Sequence, residues 1–200
     1  MRRFFPTTVL TAGAMLALSA CSSDHAPDLF KVSLDTSKGQ VVIEVHRDWA
    51  PLGVDRFYQL VKSGYFDGAR FFRVLPGFMA QFGIAGDPQV TAKWKDANLA
   101  DDPVTQSNLK GMVTFATAGP NTRTTQLFIN TGDNPRLDAQ GFAPIGKVIS
   151  GLDVVQNFFN GYGEGAPAGR GPSQDQIKAE GNAYLQRDFP LLDFIKKATI

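Results

Sequence analysis

Residues 71–83 read FFRVLPGFMAQFG, an apolar and aromatic run with one permanent cation, Arg73, inside it. A guanidinium stays protonated at any ordinary pH and presents its N–H donors in a flat, rigid fork. An unpaired charge inside a protein costs several kcal/mol, so two arrangements suit Arg73. One is a buried ion pair. The other is a place at the edge of an apolar groove, with the fork aimed at something bound there. Pro76-Gly77 is a turn signal that splits the run into two strands. Side chains alternate along a strand, so a regular second strand shows Met79 and Gln81 on one face. A second set of apolar and amide residues, Gln126-Leu127-Phe128-Ile129, follows Phe115-Ala116-Thr117-Ala118-Gly119-Pro120.

Other chemistries fail on spacing. Gly141 to Lys147 has the glycine and lysine spacing of a phosphate loop. The next residue is Val148, not the Ser or Thr that holds magnesium. Gly146 reads instead as a close approach of two strands. The glycines from Gly161 to Gly171 follow no strand and read as loop. There is no G-x-S-x-G elbow. The only histidines are His25, in a polar leader, and His46, at the end of a strand, so neither a Ser-His-Asp triad nor a zinc site has its ligands. Asp101-Asp102 has the form of a carboxylate pair, but a solvated loop is the simpler reading. No metal and no cofactor is expected.

The 200 residues are 43% hydrophobic and 20% charged, with net charge +1 and sixteen Phe. This is the make-up of one globular domain with a core rich in rings. No cluster of Lys or Arg marks a nucleic-acid surface. Cys21 is the single cysteine, so no disulfide forms within the chain.

The first twenty residues form a separate unit. Arg2-Arg3, an apolar run from Val9 to Leu18 and small residues at Ser19-Ala20 make a secretory signal peptide. Leu18-Ser19-Ala20-Cys21 resembles the lipobox of bacterial lipoproteins. That resemblance implies cleavage before Cys21, lipidation of its sulfur and acylation of the new amine, and more than one acyl chain is what stable anchoring requires. Loss of Arg2 and Arg3 takes the net charge from +1 to −1. Residues 21–28 then serve as lipidated N-terminus and tether, and residues 29–200 as the domain. Ser22 favours the outer over the inner membrane.

Leu29–Leu34 and Gln40–His46 alternate as strands of a hairpin. Pro51–Ser63 carries Val54, Phe57, Tyr58 and Val61 at helical spacing, with proline in the first turn and Gly64 as a left-handed stop. Phe71–Leu75, Phe78–Phe82, Met112–Ala116, Gln126–Asn130, Ala143–Ile149 and Asp193–Ile200 are further strands, and Leu152–Phe159 a short helix. Asp87–Lys110 reads as surface loop. Ser173 with Gln176 suggests a capping box, opening a helix that runs to Asp188 before Pro190. Many short strands with a few helices point to a β-barrel or sandwich with helical plugs.

Read together, Phe71 to Gln81 and Phe115 to Ile129 resemble two signatures of the cyclophilin-type peptidyl-prolyl isomerases, F-x-R-V-I-P-x-F-M-x-Q and A-x-A-G-P-x-T-x-x-S-Q-F-F-I. Gly64-Tyr65-Phe66-Asp67-Gly68 and the stretch from Leu137-Asp138 to Val148 fit as well, so the likeness covers about residues 29–160. It implies a mainly β fold, a closed antiparallel eight-stranded barrel capped by two helices, here with an additional C-terminal helical segment. It implies catalysis of rotation about X-Pro bonds, with Arg73 and Gln81 as catalytic residues. Phe78, Met79, Phe128, Leu137 and Phe142 would line a proline slot. Ala116, Thr117 and Ala118 would meet the extended peptide through backbone. Gln126 would help orient Arg73.

The chemistry suits an arginine. Amide resonance gives the X-Pro bond a barrier near ~20 kcal/mol, and a cation donating to the proline nitrogen lowers its double-bond character. Departures from the family pattern are Thr117 for Asn, Thr125 for Ser, and Arg136 where many eukaryotic members place a Trp that contacts cyclosporin. Weak binding of that drug is the expectation. Plain core packing competes for the aromatic residues, and a structural hydrogen bond for Gln126.

The reading that follows is a monomeric, lipid-anchored, periplasm-facing isomerase acting on proline-containing unfolded or extended polypeptides, assisting folding, with no nucleic-acid partner. The alternatives are a proline-peptide-binding or chaperone module without essential turnover, and a structural lipoprotein.

Overall fold

The computed structural model describes Met1 and residues 25–200. The signal peptide and Cys21 lie outside the described residues. The strands are β1 Leu29–Thr36, β2 Gly39–His46, β3 Arg73–Leu75, β4 Met79–Phe82, β5 Met112–Phe115, β6 Leu127–Asn130, β7 Pro144–Ser150 and β8 Ile195–Thr199. The helices are α1 Pro51–Lys62, α2 Pro88–Ala92, α3 Leu152–Gln156, α4 Gln174–Glu180 and α5 Asn182–Asp188, and a 3₁₀ turn spans Pro135–Gln140.

The eight strands form one antiparallel curled sheet in the order β3-β4-β6-β5-β7-β2-β1-β8. The expected closure is not a ladder between the edge strands β3 and β8. An isolated bridge, Arg70–Phe194, joins that side, with backbone bonds from Gly68 N to Ile195 O and from Phe71 N to Asp193 O.

Alternation sorts the residues. Val74, Ala80, Phe82, Val113, Phe115, Leu127 and Ile129 enter the main core with Val54, Phe57, Leu60 and Val61 of α1. Rings run through that core: Phe66 meets Phe82 at 5.5 Å between centroids, Phe82 meets Phe71 at 5.2 Å, and Phe71 meets Phe158 at 4.1 Å. The intervening residues of β4 and β6, Met79 and Phe128, belong to a separate cluster with Leu137. The sheet therefore offers two surfaces, a packed interior and an outer face around Met79, Gln81 and Phe128.

Helix α1 begins at Pro51 with no cap from Ala50. Asp102 supplies one from a distance, accepting from Leu52 N at 3.0 Å and Gly53 N at 2.8 Å. It also accepts from Arg123 Nη2 at 3.1 Å. Asp101 is exposed in a loop, as the simpler reading expected, but Asp102 is not. Asp102 is a buried anchor, and Asp101 lies 3.4 Å from Arg123 Nε. Arg123 is buried too, so each charge is held by the other.

Three further expectations shift. Within Asp87–Lys110 the short helix α2 forms, where Asp87 caps Gln89 N at 2.8 Å and Pro88 takes the first turn. The helix expected from Ser173 to Asp188 is broken at Gly181, whose φ of +60° is open to glycine. A Cβ there would lie 2.2 Å from Gly86 O, because Gly181 passes directly over that carbonyl. In the segment read as tether, His25 and Ala26 bind Asp55 of α1, at 2.8 and 2.9 Å.

Candidate active site

Arg73 and Gln81 are register partners on β3 and β4, Gln81 pairs with Phe128 of β6, and Phe128 pairs with Thr114 of β5. Cross-strand partners point to the same face. Pairing therefore lays Arg73, Gln81 and Phe128 in one row on the outer face. Leu75, Met79 and Asn130 make the next row.

Between the rows and the 3₁₀ turn lies a slot of about 220 Å³. Phe78, Met79, Phe128, Leu137 and Phe142 supply its apolar wall, and Arg73, Gln81, Ala116, Thr117 and Gln174 its polar rim. Phe128 and Phe142 meet edge to face at 5.8 Å. The guanidinium of Arg136 stands 4.9 Å from the Phe78 ring centroid and that of Arg73 5.8 Å, so two cations stand over the ring. A second hollow of about 370 Å³ adjoins the slot, sharing Gln81, Ala116, Thr117 and Gln174. Ala118 and Gln126 line this hollow rather than the slot.

Local sequence sets these positions. The carbonyl of Phe78 accepts from Thr131 N and Asn134 Nδ2, both at 2.9 Å, which fixes the end of the β3–β4 turn. Gly132 packs so close to that turn that a Cβ would lie 2.1 Å from Gly77 O. Asp138 ties down the turn that carries Leu137, accepting from Ser107 Oγ at 2.5 Å and Asn108 N at 2.9 Å. Burial pushes its carboxyl up, but these bonds outweigh that and hold it below the usual range. The Thr117–Thr122 loop is drawn in by Thr122 Oγ1, which accepts from Ala118 N at 2.9 Å.

Arg73 itself is 25% exposed and fully engaged on one edge. Its Nε and Nη2 donate to the two oxygens of Glu164 at 2.5 and 2.7 Å, and its Nη1 donates to Gln81 Oε1 at 3.1 Å. Gln81 Nε2 donates to Gln126 Oε1 at 2.9 Å, and Gln126 Nε2 donates to Gln174 Oε1 at 3.0 Å. Arginine accepts nothing, so Gln81 must turn its oxygen towards Arg73 and its amide away. Every later amide in the line is turned by the one before it.

Neither arrangement open to Arg73 from sequence holds alone, because its ion pair with Glu164 is partly exposed rather than buried. It is ion-paired, and it also edges an apolar slot. Gln126, expected to orient Arg73, reaches it only through Gln81. Glu164 and Gln174 were not singled out from the sequence. Both come from the stretch between α3 and β8, where glycines and a capping signal spoke of loop and helix and nothing indicated which residue of the sheet they face.

The sequence matches the family model "Cyclophilin type peptidyl-prolyl cis-trans isomerase/CLD" over residues 31–179. Peptidyl-prolyl cis-trans isomerase ppi1 of Schizosaccharomyces pombe is 39% identical over 131 residues, 62% of this chain and 82% of that protein. A peptidyl-prolyl cis-trans isomerase of Acinetobacter baylyi is 34% identical over 144 residues, 69% of this chain and 76% of the other. Among solved structures, a cyclophilin-type isomerase of Cryptosporidium parvum aligns with a TM-score of 0.60 at 23% identity, covering 86% of this chain and 97% of its own. The same protein has been solved in the presence of the dipeptide Ala-Pro, with a TM-score of 0.59. At that identity the structures speak for the fold.

Proposed function

The chain belongs to the cyclophilin-type peptidyl-prolyl cis-trans isomerases, and from that premise we propose that the slot beside Arg73 binds proline and that Arg73 drives rotation of the bond before it. The observation that carries this is the contact of the Arg73 fork with the rim of an apolar slot of about 220 Å³. Of the five N–H groups of an arginine, three are taken by Glu164 and Gln81. Two remain for a ligand.

The sequence of events follows from the geometry. A proline ring seats against Phe78, Met79, Phe128 and Leu137, displacing water from the slot. The backbone at Ala116 and Thr117 lies along the other rim for an extended chain to follow. As the X-Pro bond twists, its nitrogen becomes pyramidal and its lone pair localises. A remaining Arg73 N–H then donates to that pair, and Gln81 holds the fork in place. No covalent bond breaks. Such a donor is effective because it is aimed before the reaction begins. Lowering the barrier by ~7 kcal/mol would speed rotation by about 10⁵.

The physiological reading is a lipid-anchored isomerase facing the periplasm, held through Cys21 in the outer rather than the inner membrane. There it would act as a monomer on unfolded or extended chains, with residues 21–28 leading into a domain over 29–200. Its support is the lipobox-like Leu18-Ser19-Ala20-Cys21 and the lone cysteine at that position. Cys21→Ser should move the protein from the membrane fraction to the soluble one, and unchanged fractionation counts against the anchor.

The catalytic reading is tested by cis/trans exchange of an X-Pro peptide with the mature chain and with Arg73→Ala. Loss of exchange with peptide binding retained supports it. Two proteins equally inert, each still binding peptide, would leave a proline-binding module in its place.

A further inference from the structure

The row Arg73–Gln81–Gln126 is closed at both ends by one stretch of chain. Glu164 sits in the glycine-rich loop before α4, and Gln174 is the first residue of α4 itself. Neither is part of the sheet. We propose that this segment acts as a positioning clamp on the catalytic row, with Glu164 the residue that sets the aim of Arg73. This rests on the reading of Arg73 as the catalytic donor.

The geometry separates positioning from blocking. Glu164 takes the Nε–Nη2 edge of the fork and does not line the slot, whereas Arg73 does. The carboxylate thus grips the guanidinium from outside. The remaining donors are Nη1 and Nη2 N–H groups, at the tip of the side chain. A bidentate Arg–carboxylate pair fixes the plane of the guanidinium as well as its place.

The carboxylate is itself held. Its Oε1 accepts from Gly165 N at 3.0 Å. The main-chain oxygen of Glu164 accepts from Gly171 N at 2.8 Å, and Gly165 and Gly171 form a parallel bridge. A Cβ at Gly169 would lie 2.3 Å from Glu164 O, so the loop wraps this residue as tightly as glycine permits. The Arg73 fork, helped by Gly165 N–H, outweighs burial and holds the Glu164 carboxyl below its ordinary value, keeping the grip charged at neutral pH.

At the other end Gln174 accepts from Gln126. This blocks rotation of the Gln126 amide, which in turn fixes Gln81 against Arg73. A fork held on one edge by a carboxylate and on another by a braced amide is preorganised for one direction of donation. An arginine at a half-exposed rim would otherwise sample many rotamers.

The test is the mature chain with Glu164→Ala and Glu164→Gln, each alone and combined with Arg73→Ala. Exchange kinetics resolve kcat and KM, and the Arg73 Nε–H signal is followed by NMR. Positioning predicts that Glu164→Ala lowers kcat roughly tenfold with KM within about twofold, a fraction of what a 1 Å misplacement of a catalytic group costs. Glu164→Gln should fall between, and the Nε–H signal should be sharp in the parent and broadened in both variants. In the Arg73→Ala background, removing Glu164 should change nothing further.

An unchanged or raised kcat in Glu164→Gln, with Arg73→Ala inactive, overturns the clamp and leaves the catalytic reading standing. Full activity of Arg73→Ala overturns the catalytic reading itself. If Glu164→Ala does not fold, Glu164→Gln and the Nε–H signal decide.

Discussion

Arg73 and Gln81 face each other directly across the β3–β4 ladder, and Nη1 of one donates to Oε1 of the other at 3.1 Å. Strand register, set by the Pro76-Gly77 turn and the pinned carbonyl of Phe78, thus determines a contact between two side chains at the rim of the slot. Gln81→Ala should lower kcat/KM by about 10- to 100-fold, the range for losing a hydrogen bond of ~1.5–3 kcal/mol to a charged group. Peptide exchange kinetics check this. A loss below twofold would show that Arg73 does not need its cross-strand partner.

Leu137 closes the slot from the 3₁₀ turn and lies outside the main core. Leu137→Ala should raise KM for an X-Pro peptide about tenfold, ~1.4 kcal/mol of lost contact. Its kcat should change little, because Arg73 is untouched. Titration of labelled peptide reports the same loss as a weaker Kd.

Asp102 and Arg123 are a stability pair. The Asp102 side chain is 1% exposed, and besides Arg123 it caps the N–H groups of Leu52 and Gly53. Asp102→Ala removes the buried carboxylate from Arg123, leaving it only the more exposed Asp101 and the Ala100 carbonyl, and leaves α1 without its cap. The expected cost is ~3–5 kcal/mol. At two to four degrees per kcal/mol for a chain of this size, Tm should fall by about 10 °C. Differential scanning calorimetry measures it.

Asp55 predicts the acid limb. Burial raises its carboxyl, but bonds from Arg47, Ala26 N and His25 outweigh that and lower it from 3.8 to about 2. The charged form is therefore favoured in the folded state. The stabilisation is complete above about 3.8 and disappears as pH falls through about 2. Asp55→Asn should lower Tm at neutral pH, and the gap to the parent should close between those two values. A gap that persists at the acid end would mean the Asp55 contacts act independently of charge.

Legibility from sequence followed locality. The β1–β2 hairpin, α1 and the strands around Pro76-Gly77 are written in alternation, helical spacing and turn residues that act over a few positions. The slot residues from Phe78 to Phe142 were found because their spacing resembles a family signature, and they do converge. Asp87-Pro88 carries a helix-cap signal that the polarity of its surroundings masks. Glu164 and Gln174 were illegible for a different reason. Their partners lie 91 and 48 positions away in sequence, and no local pattern encodes that approach. The same holds for Asp102, whose partners in α1 lie 50 and 49 positions earlier. The break at Gly181 shows propensity yielding to packing, since that residue lies against the Gly86 carbonyl.

The outer face that carries the slot and the inner face that carries the core are made by alternate residues of the same two strands. Met79 and Phe128 belong to the slot, while Ala80, Phe82, Leu127 and Ile129 belong to the interior. Substitutions on opposite sides of a sheet share few neighbours, so their effects should add rather than interact. Substrate preference can then drift by exchange at one set of positions while folding is guarded by the other. A combinatorial library confined to Phe78, Phe128, Leu137 and Phe142 should yield mostly folded proteins with altered preferences, and one confined to the interior set mostly unfolded ones.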